Sequence, residues 1–420
     1  MKDDKIVVSV KHKTLRIICF AISVVVGIGA FSYAIWKITN KEPDYYEIKA
    51  DPDEAVPLYA NGIKLTCYFG GQSGDIKTGM AEARTAYSNS LKWIYQLLDA
   101  DQTHEGFINI ATINQSLGQD IKLPKELFAI LKDAYECTCE QNGYNMFAGA
   151  LYEEWNSILV LQEPGEYDPL INESERERIK RIAEATADLS NFSFDIIDIE
   201  THTVRISVSD KYMQLIKELE LSGTIVDLNV LKEAYMLEYI VPQLNRAGYT
   251  RGYITTESGL SYALKENTDG HYFLYGTDNG RIELAASLPM CGGSACCMFR
   301  AFRMSEGELG YYTIEKDGAA RLRHPHFSAI TGEEYDTFMS SCVISYDGDI
   351  VDACAKSMAL YAYANEDDAA AIIKANGSGS TVIAYTTQLG PKKVYVAADD
   401  AESIVPAEDN GYSIKVLSRD

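Results

Sequence analysis

Basic residues are scarce in this chain. Its 420 residues include 38 Lys and Arg against 61 Asp and Glu, which gives a formal net charge of −23 at pH 7. A surface that binds nucleic acid needs clustered positive charge, because most phosphate contacts come from Lys and Arg. The composition therefore excludes nucleic acid as a partner and argues against a broad basic patch on anionic lipid. The acidity by itself indicates solubility.

Several sequence motifs are also missing. The 9 cysteines include the vicinal pair Cys296-Cys297 and the spacing Cys137-x-Cys139, but no paired C-x-x-C motif of a zinc site. The stretch Gly70–Gly74 lacks the Lys-Ser/Thr ending of a P-loop, which favours a turn at a strand end over a phosphate cradle. We predict that most cysteines are buried small hydrophobes, with disulfides permitted outside the membrane.

One long uncharged run is present near the N-terminus. Residues 17–36 contain no charged side chain, and about 20 such residues are the length that a helix needs to cross a bilayer. Lysines and Arg16 precede the run and acidic residues follow it, so the positive-inside rule puts the C-terminal part outside. We predict a cytoplasmic N-terminus over 1–16 and a transmembrane helix or signal anchor over 17–38. Cleavage near Ser32-Tyr33-Ala34, as in a signal peptide, stays open.

The rest of the sequence indicates a linker and one folded domain. Residues 39–60 carry prolines among acidic residues and are typical of a linker, so we place the domain at 61–420. Strand and helix patterns alternate without a steady βαβ rhythm, which predicts an α+β fold with mixed, largely antiparallel sheets packed with helices. Predicted helices cover 80–98, 124–139, 174–189, 228–247, 352–364 and 367–375, and predicted strands cover 63–69, 194–199, 204–208, 253–256, 261–264, 272–275, 281–284, 343–345, 381–386 and 393–397.

Five stretches of the domain, taken in order, carry a family resemblance. They are Ile108 to Asn114, similar to S-E-I-S-R-L-N; Gly149-Ala150-Leu151 with Trp155, similar to G-P-L-x-x-x-W; Asp227-Leu228 and a helix with Tyr235, similar to D-L-G-G-I-A-K-G-Y-A; His326 to Gly332, similar in part to H-I-x-D-P-x-T-G; and Asp352-Ala353, in the place of A-D-A-x-x-T-A. Their order and spacing resemble the ApbE family, the FAD:protein FMN transferases.

The resemblance implies a function and a set of roles. Members of this family are typically extracytoplasmic and membrane-associated, and they move FMN from FAD onto a Thr or Ser of an acceptor protein with Mg²⁺. By resemblance, Asp352 is the metal ligand, His326 is the catalytic residue that assists the acceptor hydroxyl, and Asn114, Asp227 and Tyr235 bind the FAD. The predicted partners are this acceptor protein and, through the N-terminal helix, the membrane.

The sequence departs from the family pattern at positions that matter for that chemistry. Glu233-Ala234 replaces the K-G pair, and Asn229-Val230 replaces the two glycines that let backbone approach a nucleotide. Lys356 stands where the family has a threonine, and an ammonium group has no lone pair for a metal. Asp352 and Lys356 then also fit a simple i,i+4 ion pair on a helix. The alternative function is a catalytically inactive module that keeps the ApbE fold for binding or scaffolding.

Overall fold

The structure is a computed structural model. It describes residues 13–39, 41–51, 62–140, 142–161, 164–267, 270–278, 280–363, 365, 381–388, 391–397 and 401–417. The chain divides into two compact units, one of Met1–Tyr46 with Tyr68–Glu82 and one of Glu47–Cys67 with Ala83–Asp420.

Helices and strands are interleaved along the whole described chain. The α-helices are α1 Lys13–Thr39, α2 Ser73–Leu98, α3 Ile110–Asn114, α4 Lys125–Cys139, α5 Gly149–Asn156, α6 Pro164–Tyr167, α7 Glu173–Ala187, α8 Asp210–Glu218, α9 Val230–Arg246 and α10 Ile350–Tyr361. The strands are β1 Asp44–Ile48, β2 Lys64–Phe69, β3 Asp120–Lys122, β4 Phe192–Asp198, β5 Thr203–Val208, β6 Gly252–Thr255, β7 Leu260–Ala263, β8 His271–Asp278, β9 Arg281–Pro289, β10 Ala295–Arg300, β11 Tyr312–Lys316, β12 Ala319–Arg323, β13 Phe338–Ser345, β14 Thr381–Thr387, β15 Lys393–Ala397, β16 Val405–Pro406 and β17 Ser413–Val416.

Helix α1 covers the uncharged run of the sequence. Its apolar side chains are exposed, including Phe20, Val25 and Phe31. Across the described ranges, however, no helix combines the length and the apolarity that a membrane span requires. The membrane span predicted over 17–38 is therefore not shown and stays a prediction.

The main sheet has nine strands in the order β1-β2-β6-β7-β10-β13-β14-β15-β17. Its interior pairs are antiparallel, and β15 pairs with β17 in parallel. All eight residues of β13 are buried, as expected for a central strand covered on both faces. One face packs against β8 and β9, with Leu274, Leu288 and Ile344 in the core, and α10 packs on β7, β10 and β13. The α+β fold with largely antiparallel sheets is confirmed.

A second core surrounds Trp155, and two glycines make it possible. The indole Nε1 of Trp155 donates to the carbonyl of Gly332 at 3.0 Å. Gly332 has a φ of +74°, and a Cβ there would lie 2.8 Å from the Cγ2 of Ile179. A Cβ on Gly149 would lie 2.7 Å from the carbonyl oxygen of Thr224. Both glycines are thus required by close packing of backbone and helix.

Other elements differ from the sequence prediction. Helix α2 begins at Ser73, so the predicted turn Gly70–Gly74 is already partly helical. Strand β1 lies within the stretch predicted as a linker, and the sequence patterns missed β10 and the β11–β12 hairpin. The helix predicted over 367–375 lies outside the described residues.

Candidate functional site

The side chain of Asn114 forms hydrogen bonds with the backbone just before Asp227. Its Oδ1 accepts from the amides of Val226 at 2.8 Å and Ile225 at 3.3 Å, and its Nδ2 donates to the carbonyl of Val226 at 3.0 Å. These bonds engage both ends of the side-chain amide. Asn114 and Asp227, predicted to share a pocket, are thus brought together, with Asn114 positioning the loop.

Asp227 lies in an acidic surrounding. Its Oδ1 accepts from the amide of Asn229 at 2.7 Å. Burial raises the pKa of its carboxyl, the nearby Asp101 and Asp99 add to the rise, and the Asn229 amide and Lys232 oppose it. Burial lowers the pKa of the Lys232 ammonium, while these carboxylates favour its charge. A pyrophosphate bound beside Asp227 would be repelled by the carboxylates of Asp99, Asp101 and Asp227 and attracted by the single ammonium of Lys232.

Glu153 adds a titratable group to the same surrounding. Burial raises the pKa of its carboxyl to about 7, and the charges of Asp101 and Asp227 contribute. The sequence analysis missed Glu153 because it lies on α5, far from Asp227 in sequence, and has no motif of its own.

Asn229, which stands where the family pattern has a glycine, has a backbone conformation typical of glycine. Asn229 has φ +48° and ψ −131°, a conformation that residues with a Cβ rarely adopt. Glu233, in the place of the family lysine, is half-buried and accepts a hydrogen bond from Ser258 Oγ, and desolvation raises the pKa of its carboxyl. Asn229 thus adopts a backbone conformation that favours glycine, and an acid stands at position 233, where the resemblance implies a base.

We expect Asn229→Gly to be more stable than Asn229→Ala by about 1–2 kcal/mol, because only the alanine variant keeps a Cβ at positive φ. Both variants remove the same side-chain contacts, so their difference in urea denaturation isolates the backbone. Ala247, at φ −77° after α9, is the control. There Ala→Gly should destabilise by about 0.5–1 kcal/mol. Equal stability of the two Asn229 variants would contradict the strain at this position.

Tyr235 is a buried residue of α9 that contacts another helix. Its hydroxyl donates to Asp133 Oδ2 of α4 at 2.7 Å. Burial raises the pKa of its phenol, with Tyr144 and Asp133 adding to the rise. This bond joins α9 to α4 and leaves the Tyr235 hydroxyl engaged within the protein.

Asp352 forms an ion pair where the resemblance implies a metal. Lys356 Nζ lies 2.6 Å from Asp352 Oδ2, and the lysine side chain is only 9% exposed. Burial raises the pKa of the Asp352 carboxyl, Lys356 opposes that rise, and Asp349 and Asp347 add to it. Asp349 already accepts from the amide of Asp352 at 2.8 Å.

This arrangement does not fit Mg²⁺. The ammonium of Lys356 occupies the space beside the carboxylate, and it cannot be a ligand. Over the described part of the chain, no group of three or more His, Cys, Asp or Glu side chains is placed to hold a metal ion. We therefore assign no step to a metal at Asp352.

His326 lies in an aromatic cluster rather than at an open surface. Its ring stacks on Phe299 with centroids 3.9 Å apart and contacts Tyr361 and Tyr311. Burial lowers its pKa well below the ordinary histidine value, and the charges of His324 and Arg300 add to the effect. Its Nε2 has no hydrogen-bond partner among the described residues. A histidine with so low a pKa is a weak base at neutral pH.

The segment before His326 belongs to a buried ionic network. Arg323 Nε lies 2.7 Å from Asp168 Oδ2, and Arg323 Nη1 lies 2.6 Å from Glu334 Oε2. Tyr312 donates to Asp168 as well. His324 accepts at Nδ1 from the amide of His326 at 3.3 Å, and its Nε2 lies near Glu334. Both nitrogens of His324 are engaged, so the pair of histidines is not arranged as a metal site.

Asp352 and His326 lie toward opposite ends of α10. Asp352 and Tyr361 are nine residues apart on α10, roughly 13 Å of helix rise, and His326 packs at the Tyr361 end. A cavity of about 800 Å³ lies between the β8–β9 turn, the loop after β10 and the β11–β12 hairpin, and it shares Tyr311 with the aromatic cluster of His326. Its lining includes Phe302, Arg303 and Tyr311, and none of the five predicted site residues.

Comparison with known proteins identifies the fold. No protein-family model matches the sequence, and no curated protein matches it. Three solved structures are similar, and the first is an ApbE protein from Thermotoga maritima with 15% identity and a TM-score of 0.55, covering 82% of this chain and 95% of that one. The flavin transferase ApbE from Vibrio cholerae has 12% identity and a TM-score of 0.53, covering 83% of this chain and 94% of that one. The apo flavinyl transferase ApbE from Pseudomonas stutzeri has 12% identity and a TM-score of 0.52, covering 84% of this chain and 93% of that one.

The likeness spans nearly the full length of each solved protein. At these identities it establishes the fold and not the chemistry. This chain therefore has the fold of the ApbE flavin transferases.

Proposed function

We propose that this chain is a binding or scaffolding module with the ApbE fold, held at the outer face of a membrane by its N-terminal helix, and that it does not carry out Mg²⁺-dependent FMN transfer. The observation that carries this proposal is the ion pair between Lys356 and Asp352. The Lys356 ammonium lies at the position that the family resemblance gives to the metal. The Asp352 carboxylate is therefore already paired with a cation of the protein.

Two further observations support the same conclusion. His326 is enclosed by aromatic rings, and its lowered pKa makes it a weak base for an acceptor hydroxyl. The surrounding of Asp227 carries excess negative charge, which disfavours the phosphates of FAD. The cavity of about 800 Å³ beside Arg303 is within the size range of small-molecule sites, so the module has room to bind a ligand.

The second candidate is an active FAD:protein FMN transferase that modifies a Thr or Ser of an acceptor protein. The observation that favours it is the extent of the structural likeness, which covers 93–95% of each solved ApbE protein. Under this candidate, FAD is a substrate and His326 must become accessible.

The two candidates predict different behaviour with FAD and Mg²⁺. We expect the full chain to transfer no FMN from FAD to a threonine-bearing acceptor protein, and its melting temperature to be independent of Mg²⁺. We expect Lys356→Thr to gain Mg²⁺-dependent stability of about 1.4 kcal/mol when Mg²⁺ is tenfold above its Kd, because the substitution frees Asp352 and adds a hydroxyl ligand. FMN transfer is read by in-gel flavin fluorescence, and stability by thermal unfolding.

Lys132→Thr is the matched control. Lys132 forms an i,i+4 ion pair with Glu136 at 2.8 Å, as Lys356 does with Asp352, but on the exposed face of α4. This variant should show no response to Mg²⁺. Mg²⁺-dependent FMN transfer by the unmodified chain would overturn the proposal in favour of the transferase, and an equal Mg²⁺ response of both lysine variants would remove the special role of position 356.

A further inference from the structure

Four of the buried cysteines are arranged in two facing pairs. Cys296 lies opposite Cys342 of the neighbouring strand, with Sγ atoms 3.4 Å apart. Cys297 lies near Cys354 of α10 and adds to the rise that burial causes in the pKa of the Cys354 thiol. All four side chains are fully buried.

The alternation of strand β10 explains the two pairs. Successive side chains of a strand point to opposite faces of the sheet, so Cys296 faces the core shared with β8 and β9, and Cys297 faces α10. In the β10–β13 register, Cys296 pairs with Ile344 and Met298 with Cys342. Cys296 and Cys342 are therefore diagonal neighbours on one face, whereas Cys296 and Cys297 point apart and are not disposed to bond each other.

We propose that Cys296 and Cys342 form a disulfide that joins β10 to β13. Their sulfur atoms lie in van der Waals contact at 3.4 Å. Reaching the bonding distance of about 2.05 Å requires side-chain rotation together with a small approach of the two strands. A metal site is not favoured at this position, because a structural zinc needs four ligands and the described chain offers no cluster of three. The pairing rests on the geometry alone, and its occurrence in the cell rests on the extracytoplasmic location proposed above.

The chemistry requires a disulfide oxidant such as oxidised glutathione. One cysteine thiolate attacks a sulfur of oxidised glutathione, which forms a mixed disulfide and releases one glutathione thiolate. The second cysteine thiolate attacks the mixed disulfide at the cysteine sulfur, which forms the Cys296–Cys342 bond and releases the second glutathione. The protein gives up two electrons and two protons, and the oxidant becomes two molecules of reduced glutathione.

Burial determines when this reaction takes place. Burial raises the pKa of the Cys296 thiol well above its ordinary value, and the neighbouring Cys342 adds to the rise. A protonated, enclosed thiol reacts slowly with a disulfide in solution. The bond therefore forms while β10 and β13 are still accessible during folding, and the closed sheet then protects it.

The test is refolding of the full chain in a buffer of reduced and oxidised glutathione. In the Cys297→Ala background, which removes the second pair, two fewer cysteines should react with a maleimide after denaturation than in the fully reduced chain. The refolded protein should melt about 5 °C higher before treatment with dithiothreitol than after it, because the bond joins residues that are 46 positions apart along the chain.

Two variants separate this bond from general effects of losing a buried thiol. In the same Cys297→Ala background, Cys296→Ala should abolish the difference in melting temperature caused by dithiothreitol. Cys67→Ala should retain that difference, because Cys67 is similarly buried but has no facing thiol among the described cysteines. An undiminished count of reactive thiols in the Cys297→Ala background would overturn the proposal even if Cys296→Ala fails to fold. A dithiothreitol effect that survives in a folded Cys296→Ala variant would overturn it as well.

Discussion

Arg323→Met is expected to destabilise the chain by about 3–5 kcal/mol, a large fraction of the stability of an ordinary domain. The Arg323 guanidinium lies 2.7 Å from Asp168 and 2.6 Å from Glu334, and both carboxylate side chains have no exposed surface. Removing the cation leaves two buried carboxylates that repel each other, and Asp168 keeps only its hydrogen bonds from Tyr312 and the Leu170 amide. The free energy of unfolding from urea titrations at pH 8 measures the loss.

The pH dependence of this loss distinguishes it from a packing defect. Burial already raises the pKa of the Glu334 carboxyl, Asp168 adds to the rise and Arg323 opposes it. Without Arg323 this pKa lies still further above its value in the unfolded chain. The folded variant then binds more protons than the unfolded chain, so the variant regains stability as the pH falls. We expect a smaller loss at pH 5 than at pH 8, whereas a cavity would cost the same at both.

Arg321→Met is the matched control on the same strand. Arg321 pairs with Asp336 at 2.8 Å, but these side chains are 48% and 45% exposed. Such a pair contributes less than about 1 kcal/mol because water and salt screen it. Similar losses for the two arginine variants would contradict the assignment of Arg323 as the central cation of a buried network.

The sequence predicted those parts of the fold that depend on packing. Gly149, Trp155 and Gly332 were recognised from the family pattern, and each makes a close contact in this chain. Asn114 was recognised in the same way, and its side chain holds the loop before Asp227. Such contacts tolerate little change in shape, so a short sequence pattern is enough to mark them.

The parts that depend on chemistry were not predictable in the same way. The i,i+4 spacing of Asp352 and Lys356 allowed both an ion pair and a disturbed metal site, and only the distance of 2.6 Å decides between them. The network of Asp168, Arg323 and Glu334 joins residues as far as 155 positions apart, and no local pattern marks such a cluster. The enclosure of His326 likewise depends on Phe299 and Tyr361, which come from different elements.

The enclosure of His326 should make the chain sensitive to mild acid. Burial keeps this imidazole neutral in the folded state, with its pKa well below 6.5, and Arg300 and His324 act in the same direction. The unfolded chain takes up a proton on this histidine as the pH falls below 6.5, and the folded chain does not. Stability contributed by the neutral ring is therefore present above pH 6.5 and is lost progressively below it, by about 2 kcal/mol at pH 5.

Replacing His326 by phenylalanine isolates this contribution. A phenyl ring fits a position that already stacks on Phe299 at 3.9 Å, and it does not titrate. Between pH 7 and pH 5, we expect the wild-type chain to lose about 2 kcal/mol more than His326→Phe in urea denaturation. His271→Phe, at an exposed position, should keep the wild-type dependence. If His326→Phe loses as much stability as the wild type, the ring is accessible to protons in the folded chain, and the objection to a catalytic role for His326 disappears with it.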